Sequence, residues 1–258
     1  MFCIDYILAQ VYNSTDVRVW LSTKLSCERS FYMMGKTHKT GGVLVGVVAS
    51  DMFLQRNMII TGICVVLLIN GAVLGSLLPD IDKKESTIGR KLWFISWPIY
   101  FMRLIIKLLS WLSPRAFRSF YNKVHKAIGH RYLAHSLITW AVISFYIILG
   151  CFNLANYICS LVDINILMNT TDIQEVIKKG MFAFSLGISL GMLSHIILDL
   201  LTKEGVAIFA PIIDKRLRFP LQIRTNGLGE HIICMIMNIL IPVASFIILF
   251  PYIMGFIS

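Results

Sequence analysis

Apolar residues run along this chain in blocks too long for an ordinary soluble core. Met58 to Leu78 contains no charge, and comparable blocks lie at about 136–162, 180–201 and 232–257. About 20 apolar residues cross a bilayer as a helix, so these four blocks predict transmembrane helices. Gly41 to Leu54 is shorter, about 21 Å at the helical rise, and reads as a marginal fifth span. Arg56 and Asn57 punctuate the first two blocks and predict a turn, hence a helical hairpin. Pro79 disfavours helix at the residue before it, so the second helix is expected to stop at Leu78. The fold class is therefore all-α, a polytopic membrane bundle of about five transmembrane helices.

Three stretches stand outside that pattern. Leu92 to Leu112 is apolar enough to tempt a sixth span, but a crossing there would set Arg103 and Lys107 in mid-membrane. It reads instead as an interfacial or re-entrant segment. Within 116–128, Phe117, Phe120, Tyr121, Val124 and Ile128 recur on one helical face, with Arg118, Lys123 and Lys126 elsewhere. That predicts an interfacial amphipathic helix on anionic lipid, or equally one packed on the bundle. Residues 1–33 match nothing downstream and show neither a basic n-region nor a small-x-small cleavage site. Met33 and Met34 precede Gly-Lys-Thr-His38, so 1–33 is expected to be a disordered or mis-started extension ahead of a membrane-embedded unit, 34–258.

Composition agrees with the pattern. The chain is 57% hydrophobic and 15% charged, against about 25% charged in soluble domains. Its six cysteines are scattered without a Cys-x-x-Cys pair, which signals neither a disulfide framework nor a thiolate zinc site. The net charge of +10 calls for an anionic surface or partner. Anionic lipid headgroups explain it more simply than nucleic acid. Between Lys83 and Arg131 there are eleven Lys and Arg against one acid, Glu85. The segment 202–230 is basic again, with Lys203, Lys215, Arg216, Arg218 and Arg224, whereas 163–179 is near neutral. Positive loops face the cytoplasm, so 83–131 and 202–230 are expected inside, and 163–179 and the C-terminus outside.

On that map the ionisable groups gather. His195 and Asp199 stand four apart in an apolar segment, one above the other on a helix, where one metal ion can bridge them or a buried hydrogen bond can join them. Ionisable groups at membrane depth are functional hypotheses by default. His38 precedes the first block, Asp80 and Asp82 follow the second, His130 and His135 precede the third, and His195 lies about 9 Å inside the end of the fourth by helical rise. Four segments thus bring four His and three Asp to one membrane face. Imidazole suits zinc, carboxylate suits harder ions, and seven donors exceed one tetrahedral site. Two or three divalent ions, zinc or manganese, fit better, and such pairs activate water in phosphoester hydrolysis. Arg131, beside His130, is the candidate for steadying a phosphate oxygen, though an ordinary surface Arg reads the same way. His125 and His231 read as surface residues as readily as ligands.

The motifs Thr37-His38, Leu78-Pro79-Asp80-Ile81-Asp82, His130-Arg131 with His135-Ser136, and His195-Ile-Ile-Leu-Asp199-Leu-Leu-Thr202 with Gly205 and Pro211 resemble, in this order, a bacterial family. It is the inner-membrane metal-dependent hydrolase family that includes a LexA-regulated member, and the resemblance covers roughly 34–211. Tyr132-Leu133-Ala134 departs from the Gly and Thr usual between the two histidines. The family is similar in turn to zinc-dependent phospholipase C and S1/P1 nuclease. What the resemblance implies is a bacterial inner-membrane hydrolase, with a lipid or small-molecule phosphoester as substrate at the cytoplasmic face. The alternatives are a membrane transporter and a non-catalytic metal-binding membrane protein. Against a transporter, the polar groups collect at one face and form no path across the bilayer.

Overall fold

The computed structural model describes residues 35–54, 58–82, 86–91, 101–109 without 103 and 107, 132–165, 170–213, 215–221, 223–225 and 227–257. Residues 35–49 form α1, which tightens into a 3₁₀ turn, Ser50–Phe53. Then come α2 (Met58–Gly75), a 3₁₀ turn (Leu78–Asp82), the short α3 (Thr87–Lys91) and a 3₁₀ turn (Leu133–His135). The long helices α4 (Leu137–Asn165), α5 (Thr170–Leu200) and α6 (Leu228–Ile257) complete the order. The described residues contain no named strand; Thr202 with Ile223 and Val206 with Leu217 form isolated bridges. This is the expected all-α polytopic bundle. Expectations resting on 1–33 or 116–128 lie outside the described residues, and within 92–112 the described positions from 101 to 109 are helical.

Among the described residues, four helices are long and apolar enough to cross a membrane: Met58–Gly75, Leu137–Leu161, Asp172–Leu200 and Leu228–Gly255. The marginal block is helical too, but α1 spans about 22 Å, short of an apolar layer of about 30 Å. The apolar span of α5 is 56% buried and that of α2 39%, whereas α4 and α6 bury 6% each. So α2 and α5 form the centre, and α4 and α6 turn most of their apolar surface outward, as lipid-facing helices do. Glycine sets the central contact. Gly71 and Gly75 on α2 lie against the Phe184 and Ile188 backbone of α5, and Gly187 and Gly191 on α5 against the Leu68 and Ala72 backbone of α2, each glycine pair one helical turn apart. A Cβ at Gly75 would run into the Ile188 carbonyl, and one at Gly191 into the Ala72 carbonyl. Small residues at this spacing let membrane helices touch along their backbones.

The register gives the directions. Gly187 faces Leu68 and Gly191 faces Ala72 and Ser76, so α2 and α5 run parallel. Gly42 faces Ala72 and Ser76 while Gly46 faces Ile69, so α1 runs against α2. The end of α2, the end of α5 and the start of α1 therefore share one end of the bundle. The Thr37 hydroxyl donates to Glu230 Oε1 at 2.8 Å, which brings the start of α6 there as well.

Two boundaries differ from expectation. The connection expected over 163–179 shrinks to 166–169 at most, because α4 runs to Asn165 and α5 starts at Thr170. Polar residues at a helix end need only leave the apolar layer, not the helix, and Glu175 and Lys179 pair at i,i+4 on α5. At the other end, α2 stops at Gly75, not Leu78. The chain tightens there, with Leu77 N–H donating to the Leu74 carbonyl and Asp80 N–H to the Leu77 carbonyl.

Candidate metal centre

Each donor arrives by a local device. The tight turn after α2 cannot continue as helix through Pro79, so it folds back and carries Asp80 over the end of the bundle. His135 sits in the 3₁₀ turn before α4, with Tyr132 and Leu133 packed on Ala207 and Ala210 of the 201–227 connection. In that connection Gly205 has φ +63°, and a Cβ there would also meet the Leu217 carbonyl. Only glycine takes that conformation without penalty. His38 lies in the first described turn of α1, and His195 and Asp199 lie one turn apart near the end of α5.

The five side chains converge. His135 Nε2 lies 3.2 Å from His195 Nε2 and 3.2 Å from Asp199 Oδ2. His195 Nε2 lies 3.5 Å from Asp199 Oδ2 and 4.0 Å from Asp80 Oδ1. His135 Nε2 stands 3.9 Å from Asp80 Oδ1, and His38 Nε2 3.5 Å from Asp199 Oδ1. The His38 ring stacks on His195, with centroids 3.7 Å apart and an interplanar angle of 14°. His38, His195 and Asp199 form one compact donor set, and Asp80, His135 and His195 a second, sharing His195.

This donor set fits divalent metal. Ligand bonds of 2.0–2.2 Å in a tetrahedral site place neighbouring donor atoms roughly 3.3–3.6 Å apart; the separations around Asp199 are 3.2–3.5 Å, while Asp80 stands 3.9–4.0 Å from its two imidazoles. The tautomer of His195 is right as well. Its Nδ1–H donates to the Ser76 carbonyl at 2.6 Å, which leaves the Nε2 lone pair turned to the cluster. Backbone carbonyls hold the outer nitrogen of metal-binding histidines in this way. Burial pushes the His38 and His135 imidazoles below their ordinary value of 6.5, so both are neutral, the ligating form, at neutral pH. Burial alone would raise the Asp80 carboxyl, but positive charge on the neighbouring histidines, His195 first, outweighs it and holds the carboxyl below its ordinary range. The cluster is buried, with His135 and His195 fully covered. Asp80 keeps 14% of its side chain exposed and marks the most open side.

Five of the seven expected metal ligands, His38, Asp80, His135, His195 and Asp199, are thus brought together. Of Asp82 only the backbone is described, in the Leu78–Asp82 turn, and His130, Arg131 and His125 lie outside the described residues. His231 is exposed, and its ring nitrogen Nδ1 lies 3.0 Å from the Gly227 carbonyl, away from the cluster. Two contributors were not anticipated. The Ser76 carbonyl is backbone and leaves no trace in residue type. Glu230 is buried against Thr37 beside His38. Its one sequence signal was an acid at the head of a charge-free apolar block.

Residues 33–257 match a family described as "YdjM inner membrane protein". The chain is 27% identical over 201 residues to the Bacillus subtilis (strain 168) protein named "Uncharacterized protein YvsG", a stretch that covers 78% of this chain and 87% of that one. It is 29% identical over 172 residues to "Inner membrane protein YdjM" of Escherichia coli (strain K12), covering 65% of this chain and 61% of the relative. No solved structure matches.

Proposed function

The chain belongs to the YdjM inner membrane protein family, and we propose that this multi-pass protein of the bacterial inner membrane is a metal-dependent hydrolase of phosphoesters carried by a lipid or other amphiphile. The observation that carries the reading is the convergence of three imidazoles and two carboxylates from four segments, with donor atoms 3.2–4.0 Å apart. A bound divalent ion, zinc or manganese, would supply Lewis acidity toward a phosphoryl oxygen and lower the pKa of a water. The residues divide the remaining work. His38, Asp80, His135, His195 and Asp199 hold the metal. The Ser76 carbonyl fixes the His195 tautomer. Arg131 is our candidate for steadying a phosphate oxygen, since a guanidinium offers a two-pronged fork.

The site's position supports an amphiphilic substrate. It lies where the helices end, beside a connection in which Ile212, Phe219 and Leu221 are exposed among Lys215, Arg216 and Arg218. Exposed apolar side chains interleaved with cations suit the headgroup layer of an anionic leaflet. The same basic residues favour the cytoplasmic face for the site. The rival reading is a non-catalytic metal-binding membrane protein. It draws on the complete burial of His135 and His195 and predicts a closed ligand shell.

The deciding experiment purifies the full chain in detergent, counts bound metal by elemental analysis, and assays phosphodiester and phospholipid hydrolysis for wild type, His195→Ala and Asp199→Asn. We expect one or more zinc- or manganese-class ions per chain, lost from both variants together with hydrolysis. Metal without hydrolysis of any phosphoester would favour the non-catalytic reading. A wild type free of metal after exposure to zinc and manganese would overturn the metal centre itself.

A further inference from the structure

His38 presents Nε2 to Asp199, and its ring plane is fixed by stacking on His195. Its other nitrogen, Nδ1, is buried and has no hydrogen-bond partner among the described residues. A histidine that ligates metal nearly always gives that outer N–H to a carboxylate, a carbonyl or a water, which sets the tautomer and raises ligand basicity. His195 has its carbonyl. For His38 the structure offers a cavity of about 30 Å³, bordered by His38 itself and by Thr37, Thr202, Thr225 and Glu230 among apolar neighbours. At 10–15 Å³ for each water, that is room for about two; the wall is mostly apolar, and the residues that border it with polar side chains are Thr37, His38, Thr202, Thr225 and Glu230. Among the described residues, the one carboxylate in this lining is Glu230. It is itself buried, and its Oε1 accepts from Thr37, the residue next to His38.

Resting on the metal-centre reading above, we propose that Glu230 is a positioning residue for that centre. Through one or two ordered waters in this cavity its carboxylate receives the His38 Nδ1–H. That fixes the ring with Nε2 toward the donor cluster and makes Nε2 a stronger ligand. The first turn of α6 thereby joins the end of α5 and the start of α1 in setting the site. A residue that merely staples α6 to α1 would contribute stability alone. A residue acting through His38 contributes to metal affinity, and does so only while His38 is present.

The test measures zinc affinity of the detergent-purified full chain by competition with a chromophoric chelator, in wild type, Glu230→Ala, Glu230→Gln, His38→Ala and the Glu230→Ala/His38→Ala double variant. Loss of such an outer partner weakens metal binding about 10–100-fold, and that is the range expected for Glu230→Ala. Glu230→Gln keeps an acceptor for Thr37 and for water, so it folds and loses less. In the His38→Ala background, Glu230→Ala should cost nothing further. Equal affinity of Glu230→Ala and wild type overturns the proposal, as does the same loss factor in both backgrounds, which marks a structural staple. A wild type that binds no zinc overturns the metal-centre reading and this inference with it.

Discussion

At the scale of single residues, spacing and neutral imidazoles decide what can be anticipated. The His195–Asp199 pair was legible because i and i+4 on a helix share a face whatever the fold. His38, Asp80 and His135 were legible once the spans were drawn, since each flanks an apolar block on the same expected membrane face. His231 and Glu230 were not separable by that logic. They are adjacent, yet one is exposed and the other is buried against Thr37. The buried neutral state has a measurable consequence. His38 and His135 have folded pKa values below 6.5, while the unfolded chain takes protons near 6.5. Below that value the unfolded state binds more protons, so these two groups lower stability as pH falls. We expect the melting temperature of the metal-free wild type, in detergent, to fall more steeply between pH 7 and pH 5 than that of His38→Gln/His135→Gln. Equal slopes would show that neither imidazole is held neutral by the fold.

At the scale of elements, the apolar blocks marked where helices lie but not where they stop or how they touch. The connection expected over 163–179 shrank because charged residues at a helix end can leave the membrane without breaking the helix. The glycines of α2 and α5 were read as part of apolar runs, whereas their effect is to remove side chains from a backbone contact. That contact also reaches the site, because the carbonyl that orients His195 belongs to Ser76, next to Gly75. Gly191→Ala therefore tests packing and site together. Its methyl group would meet the Ala72 carbonyl, a backbone atom that cannot swing away. Overpacking of this kind costs about 1–3 kcal/mol. We expect a lower melting temperature for Gly191→Ala and, as Ser76 shifts relative to His195, weaker metal binding. Gly62→Ala, whose Cβ would meet nothing within 4 Å, should leave both unchanged. If Gly191→Ala melts and binds metal as wild type does, α2 and α5 are not in backbone contact.

At the scale of the whole molecule, direction and charge act together. α1 leaves the site end, α2 and α5 return to it in parallel, and α6 starts beside Thr37 and runs away from it. The described basic residues of the 201–227 connection, Lys203, Lys215, Arg216, Arg218 and Arg224, lie at the site end. Because cytoplasmic loops carry the excess of Lys and Arg, the site end should face the cytoplasm and the far end of α6 the periplasm. The Lys and Arg bias of the loops is what sets the orientation of such a bundle. A C-terminal alkaline phosphatase fusion, which is active only outside the inner membrane, should therefore be active, and a fluorescent fusion that matures only inside should be dark. The opposite pair of results would put the donor cluster on the periplasmic side, where the cations of 201–227 would no longer face the anionic leaflet. Replacing Lys215, Arg216 and Arg218 with Glu weakens the same signal, so the triple variant should lose part of its phosphatase activity if those charges set the orientation. An unchanged triple variant would leave the orienting charge to the Lys and Arg between Lys83 and Arg131.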